Sequence, residues 1–453
     1  MPAGGTWVIQ DKQRPGTYIK VKTGTPAASS FGSRGTVAVA LPMSWGPAGE
    51  LIELTGTDLL DGKSLVKVGY TIFDREESLP FRVALSGCTK ALIFRADTGG
   101  VAASTDIEVG EITVAAKYPG VVGNDLVVGI VNDTPSTGKS TVTVSLRGVV
   151  RESGIIDTAA PEQLETFGSS FVDFVVDELA TTTPEGTFTL TSGSDGTVSD
   201  ATYQTFFDAL TVKQWQALAI MSDSATVPPL VEAKIRSMRE TLGRKVQGVV
   251  YNDNSADYEG IISVKQGFKT ANDVVGVDLF PVWVASQTAG AEVNESMTAY
   301  VVPGATEITN YISDDQIVAE LQDGWFLLSY RQDGAVCVEQ DINSLHTFTG
   351  ERGYIFSKNR VVRCLDGISN LIAFRFNSNY AGKIDNNATG RNLFKSEIIS
   401  DMDYLQGIGA IQNFVSEDVT VLPGEAIESV VADVGVQPVD SMEKLYVTIN
   451  LPN

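Results

Sequence analysis

The sequence predicts an α/β core interrupted by an inserted all-β domain and followed by a C-terminal α+β domain, with an extended β arm at each end. Three observations carry this. Strand-like and helix-like patterns alternate over 31–100 and resume over 197–340; the texture over 101–196 turns to Val, Thr, Gly and Ser; and each terminus carries a two-residue alternation that stands alone. At 453 residues the chain has room for roughly three domains of about 150 residues each. The division reads 1–30 as an N-terminal arm and tether, 31–100 with 197–340 as a discontinuous core, and 101–196 as the insert. A C-terminal domain over 341–440 and a C-terminal arm over 441–453 complete it.

The arms come first. Thr17, Ile19 and Val21 alternate with Tyr18, Lys20 and Lys22 after the turn Arg14-Pro15-Gly16, and the stretch through Gly24, Pro26 and Ser29-Ser30 reads as a tether. At the other end, Leu445, Val447, Ile449 and Leu451 take one face, and Tyr446, Thr448 and Asn450 the other. A terminus frays unless something holds it, so a strand patterned this well needs a sheet to join, its own or a neighbour's. Two such arms describe a chain that stitches copies of itself together.

Within the core, Thr36–Leu41 is a short apolar run closed by Pro42, as a buried strand requires, and Ala91–Arg95 is a second. Helices expected near 57–67 and 75–86 between them make a βαβ crossover. The insert carries candidate strands at 111–117, 126–132, 141–147, 171–177 and 187–191, punctuated by turns. An insert is tolerated when its ends lie close together at a surface loop of the host. The α/β texture returns with a helix at Asp200–Leu210, a strand at Trp215–Met221, a helix at Pro228–Leu242 stopped by Gly243, and a strand at Val246–Tyr251. Phe280–Ala285 reads as a strand, Asp314–Leu321 as a short helix, and Trp325–Arg331 with Ala335–Glu339 as a hairpin about Gln332-Asp333-Gly334. Helical pattern continues near 391–405, and β alternation returns at Val430, Ala432, Val434 and Val436.

Composition excludes several functions. No apolar run approaches the ~20 residues of a membrane span, and no signal peptide pattern begins at Met1, so the chain reads as soluble and made in the cytoplasm. The formal charge of −23, from 56 acidic against 33 basic residues, argues against nucleic acid as the main partner, because phosphate binding needs concentrated Lys and Arg. Acidity of this kind also simply keeps a protein soluble. Cys88, Cys337 and Cys364 are odd in number and widely spaced, which fits reduced core thiols and no metal knuckle.

Chemical motifs are weak throughout. Gly138-Lys139-Ser140 echoes a phosphate-binding loop, but Asp133 stands where the first glycine belongs, and a strand pattern follows where a helix must hold the phosphates. It reads as a hairpin tip. His346 is the single histidine, so any His-dependent triad or metal site must use it, yet no serine elbow accompanies it. A hydrogen-bonding role in a turn fits it better. The pairs Glu76-Glu77, Asp314-Asp315 and Glu417-Asp418 suit helix starts and exposed loops, so no enzyme, metal or cofactor is read from the chain. The most basic segment, 358–375, fits two descriptions: an amphipathic helix packed on its own domain, or a cationic face meeting an acidic partner together with Lys383, Arg391 and Lys395.

The stretches Gly4–Gln10 with Arg14–Ile19, Gly35–Gly49, Tyr118–Asp125, Glu339–His346, Lys358–Arg363 with Leu365-Asp366, and Val436–Tyr446 follow one another in the order of a known family. On them the chain resembles the tail sheath proteins of contractile phages and phage-like particles, the type found in defective prophages. The resemblance implies a structural subunit without catalysis or cofactor, polymerised head to tail into stacked rings or a helix around a tail tube, and contracting to drive the tube through a cell envelope. Its arms, Trp7, Val8, Ile9, Tyr18, Ile19 and Val21 at one end and Leu445, Tyr446, Val447, Ile449 and Leu451 at the other, would add strands to neighbouring subunits. Lys358, Arg360, Arg363, Lys383, Arg391 and Lys395 are the candidate tube-facing cations, and Gly24–Gly32 and Gln437–Ser441 the candidate hinges. Partners implied are further copies, the tail tube protein, and baseplate and tail terminator proteins, with no direct nucleic acid and no membrane insertion. The location implied is the tail of a virion or phage-like particle, assembled in the host cytoplasm. The competing readings are a β-rich surface adhesin or binding module, suggested by the insert, and a hydrolase with a subtilisin-like core, which lacks the needed residues.

Overall fold

The computed structural model describes residues 3–5, 16–18, 35–108, 111–133 and 138–451. Met1–Ser33 form one unit and Arg34–Asn453 another. In the first, Ala3–Gly5 and Gly16–Tyr18 pair as parallel strands.

The second unit is organised on a six-stranded sheet of β1 (Thr36–Leu41), β2 (Leu51–Thr55), β3 (Lys90–Arg95), β4 (Ala217–Ile220), β5 (Gln247–Tyr251) and β6 (Ile261–Val264), in spatial order β6-β5-β4-β1-β3-β2. All pairings are parallel except that of β2, which closes one edge antiparallel to β3. β1, β3 and β4 are covered on both faces, which explains why they read as short apolar runs. Val37, Val39 and Leu41 enter one core with Ile93, Ala219 and Ile262, while Ala38 and Ala40 enter the other with Leu92, Phe94 and Leu218.

The helix expected near 57–67 is broken at Gly62, at φ 81°, into α1 (Gly56–Asp61) and α2 (Ser64–Val68). That expected over 75–86 shortens to α3 (Leu79–Ala84). Arg75 and Arg82, before and within α3, pair with Asp273 at 3.3 and 3.0 Å. The hydrogen bond from Arg82 holds the Asp273 carboxyl below its usual range. Its contribution is therefore complete above the unfolded value near 3.8 and is lost as pH falls through the lower folded one. Asp273→Asn is expected to cost about 1–2 kcal/mol at neutral pH, and less in acid; urea unfolding at pH 7 and pH 3 checks it.

α4 (Asp200–Leu210) and α5 (Val227–Arg236) cover the second core with Tyr203, Phe206, Phe207, Val231 and Ile235. The first core is covered by α6 (Phe280–Gly290), where the sequence pattern had indicated a strand. The reason is burial on every side: Phe280 through Ala289 are all buried, so no helical stripe of polar residues marks the period, and Pro281 sits in the first turn, where a missing N–H costs nothing. The unit also holds α7 (Asp314–Gln322), α8 (Asn359–Arg375) and α9 (Ala388–Gly407). The 328–330 and 336–338 strands pair about Gly334 as the sequence suggests.

Between β3 and α4 the chain is β-rich. The 126–132, 139–146, 149–157 and 186–189 strands make one antiparallel sheet, and 104–108, 112–116 and 172–176 another. The strands at 104–108 and 149–157 were not foreseen. Lys139 opens a strand antiparallel to 126–132, so the glycine-lysine turn joins two strands and leads into no helix. The ingoing and outgoing segments pair with each other, Asp97-Thr98 with Thr197-Val198, and further bridges link Val101 to Ser194 and Ser104 to Thr191. Beside this neck lies a buried clasp. Arg95 donates to Asp97 at 2.6 and 2.9 Å and to the carbonyls of Gly46 and Pro119, while Asp97 accepts from the backbone of Met43 and Gly196.

α5 runs on into a wider π turn over Ser237–Thr241, which presents Arg239 to Asp366 of α8 through two hydrogen bonds of 2.5 and 2.9 Å. Burial alone would discourage the guanidinium charge, but Asp366 and Glu259 raise its pKa instead. Gln247–Asn359 and Lys245–Asn370 hydrogen bonds continue the same seam.

Candidate functional site

Every candidate reading depends on the termini and the basic segment. Of the N-terminal arm, Trp7, Val8, Ile9, Ile19 and Val21 lie outside the described residues, and Tyr18 ends the Gly16–Tyr18 strand.

The C-terminal arm is described to Leu451. Gln437-Pro438 pair with Ile411-Gln412, and the Val439 N–H donates to Ala410 O, so the stretch expected as a hinge over Gln437–Ser441 begins fastened to the body. Glu443 is fastened too: its carboxylate accepts from Thr298 Oγ1 at 2.8 Å, Gln340 Nε2 at 2.6 Å and the Lys358 ammonium. Beyond it, among the described residues, 444–451 make no hydrogen bond to the body. Leu445, Tyr446, Ile449 and Leu451 are each more than 80% exposed and Val447 is 66% exposed, so both faces of the alternation meet solvent. A contiguous apolar strip of this kind on a folded chain marks a contact surface.

One structure able to receive a strand is the hairpin of Val419–Pro423 and Val430–Val434 beside α9. Among the described residues it is a two-stranded sheet whose 430–434 strand has an unpaired edge, and Leu422 and Val431 are more than half exposed. Isolated two-stranded ribbons are marginal in water, and open edges invite another strand.

The six cations separate into two groups. Lys358 and Arg363 are buried: Lys358 pairs with Glu443, and Arg363 lies 3.5 Å from Asp341 and donates to the Glu295 carbonyl at 2.7 Å. A tube-facing role for these two is corrected by their burial, because their charges are neutralised inside the chain. Arg360, Lys383, Arg391 and Lys395 are half-buried or exposed and form no ion pair among the described residues, although Arg391 hydrogen-bonds Asn386 and Lys383 the Ser378 carbonyl. Periodicity cannot separate the groups, since the partners Asp341 and Glu443 are distant in sequence.

The remaining candidates are structural. His346 Nδ1 lies 2.8 Å from the Ser344 carbonyl, and the backbone N–H groups of His346 and Thr347 both donate to Asp257. Burial raises the Asp257 pKa, but these hydrogen bonds outweigh it and leave the carboxyl below its ordinary value. Asp314 and Asp315 occupy the first turn of α7. Among the described residues no group of three or more His, Cys, Asp or Glu is placed to hold a metal ion, and no helix is long and apolar enough to cross a membrane.

Comparison with known proteins is consistent along the whole chain. Residues 196–344 match the phage tail sheath protein central domain, and 351–452 the phage tail sheath C-terminal domain. The phage-like element PBSX protein XkdK of Bacillus subtilis is 32% identical over 99% of each chain. A sheath tail protein from Desulfitobacterium hafniense has a similar structure, with a TM-score of 0.79 and 34% identity over 95% of this chain and 99% of the other. The helical sheath of the anti-feeding prophage in its contracted state shares the fold at a TM-score of 0.53 and 13% identity, over 97% of this chain and 99% of the other.

Proposed function

Because the chain belongs to the phage tail sheath family, we propose that it is the repeating subunit of a contractile sheath, joined head to tail around a tail tube by exchange of its terminal strands. The observation that carries this is the arm Leu445–Leu451: alternating, apolar, exposed on both faces and hydrogen-bonded to nothing in its own chain among the described residues. Its occupant site is the open edge of the 419–423 and 430–434 hairpin on the next copy. Such a contact is heterologous and does not close on itself, so it propagates as stacked rings or a helix. A six-residue strand adds about half a dozen backbone hydrogen bonds at roughly 1 kcal/mol net each, so two arms hold a neighbour by something like 10 kcal/mol.

Contraction in this reading is a switch between two packings of nearly rigid bodies, with the arms keeping neighbours joined while the cores move. The contracted sheath that shares this fold supports it. The C-terminal domain over 341–440 faces the tube with Arg360, Lys383, Arg391 and Lys395, and 101–196 is a domain inserted into the core of 31–100 and 197–340. The tube, baseplate and tail terminator proteins are the partners, in the tail of a virion or phage-like particle.

Deleting Lys444–Asn453 removes an arm whose described residues, 444–451, are exposed and make no hydrogen bond to the body. The truncated chain is expected to melt within about 1 °C of the full chain, since 444–451 are exposed, and to form no tubes in negative-stain electron microscopy where the full chain does. Long tubes from the truncated chain would overturn strand exchange.

A further inference from the structure

We infer that Glu443 is the anchor of the C-terminal arm, seated in a socket of Thr298, Gln340 and Lys358 through which load on the arm enters the body. This rests on the proposed strand exchange and goes beyond it by naming the point of attachment.

The socket is specific for an anion. Its three donors converge on one carboxylate, Thr298 on Oε1 and both Gln340 and Lys358 on Oε2. The Glu443 side chain is 11% exposed, although Met442 and Lys444 on either side are exposed. The Lys358 side chain is 4% exposed, and Glu443 is its one ion-pair partner among the described residues. Emptying the socket would therefore strand a buried ammonium, which makes release of the arm costly in a way that an exposed ion pair does not.

Its position is as informative as its chemistry. Thr298 and Gln340 fall in the stretch matched by the sheath central domain, and Lys358 in that matched by the C-terminal domain. The Thr298 hydroxyl that donates to Glu443 also accepts from the Asp341 N–H, and Asp341 in turn binds Asn359 and Arg363 of α8. A pull on 445–451 thus meets Glu443 first, and passes from it into the seam between the two matched regions. Burial raises the Glu443 pKa, but the hydrogen bonds from Lys358, Gln340 and Thr298 outweigh it, leaving the carboxyl below its ordinary value and charged at neutral pH.

Lys444, exposed and directly beyond the anchor, provides the assay. Trypsin cleavage there frees Leu445–Asn453, and its rate in unassembled full-length protein reports opening of the socket. Glu443→Ala is expected to speed release about tenfold or more, the factor that losing a charge-assisted hydrogen bond gives, and Glu443→Gln by less. Lys358→Met should act through the same contact, so the double variant Glu443→Ala with Lys358→Met should cleave no faster than the faster single one. Tube yield from Glu443→Ala should fall while its circular dichroism stays that of the parent. Release unchanged in both Glu443 variants would overturn the anchor, as would tubes of undiminished yield from a chain whose arm is released faster. Faster release in the variants, from a parent chain that forms no tubes, would support the seat while overturning strand exchange instead.

Discussion

Asp97→Ala is expected to destabilise the protein by about 3–5 kcal/mol, the cost of leaving a buried charge without its partner. Arg95 and Asp97 are 1% and 2% exposed, so solvent cannot take the partner's place. The loss does not stop at the pair. Asp97 also receives the backbone N–H groups of Met43 and Gly196, and Arg95 reaches the carbonyls of Gly46 and Pro119, so one substitution loosens three backbone segments around the neck of the β-rich stretch. Urea unfolding of the variant measures the cost. Replacing both residues by apolar ones of similar volume should cost less than removing Asp97 alone, because no stranded guanidinium remains; equal costs would mean that the backbone hydrogen bonds and not the charge dominate.

Gly290→Ala is the second large effect. A Cβ at the end of α6 would stand 1.6 Å from the carbonyl oxygen of Gly87, which is backbone and cannot rotate away. The approach is locked from the other side, where Gly87 N–H donates to Ser286 Oγ and Gln287 Nε2 donates to Ser86 Oγ. Separation of α6 from the 86–88 turn should cost more than about 3 kcal/mol, beyond ordinary overpacking, and lower the yield of folded protein. Gly56→Ala, where an added Cβ meets nothing within 4 Å, serves as the control and should melt with the parent or slightly above it. Similar melting of the two variants would show that the turn yields.

Much of the core was legible because β1, β3 and β4 are buried on both faces and therefore carry unbroken apolar runs between turns. The same property hid α6, which is just as apolar and whose period burial erased. The strand Val149–Asp157 escaped for the opposite reason: it is an outer strand, and its Arg151, Glu152 and Ser153 give no alternation to read. In the basic segment the arginines and the lysine were visible as charges, but whether each is internal depends on Asp341 and Glu443, and no local pattern announces a partner so far along the chain. The alternation over Leu445–Leu451 was legible as a pattern, and the structure leaves those residues exposed outside any sheet. The root of the arm at Glu443 was not legible, since a single glutamate between Met442 and Lys444 looks like any solvated residue.

The paired neck of the β-rich stretch has a consequence for the order in which the chain acquires its structure. β1 must find β4, and Thr36 and Gln216 beside them are 180 residues apart. The neck brings Asp97 against Gly196, 99 residues apart, so closing it first roughly halves the loop left to search. By loop-closure entropy that is worth only about 0.7 kcal/mol, so the gain is chiefly kinetic. The β-rich stretch also leaves the ribosome complete before β4 is made, and locally paired strands form sooner than distant parallel ones. The central sheet is thus expected to be assembled late, around a neck already tied, and pulse-labelled hydrogen exchange should protect 112–146 before 217–251.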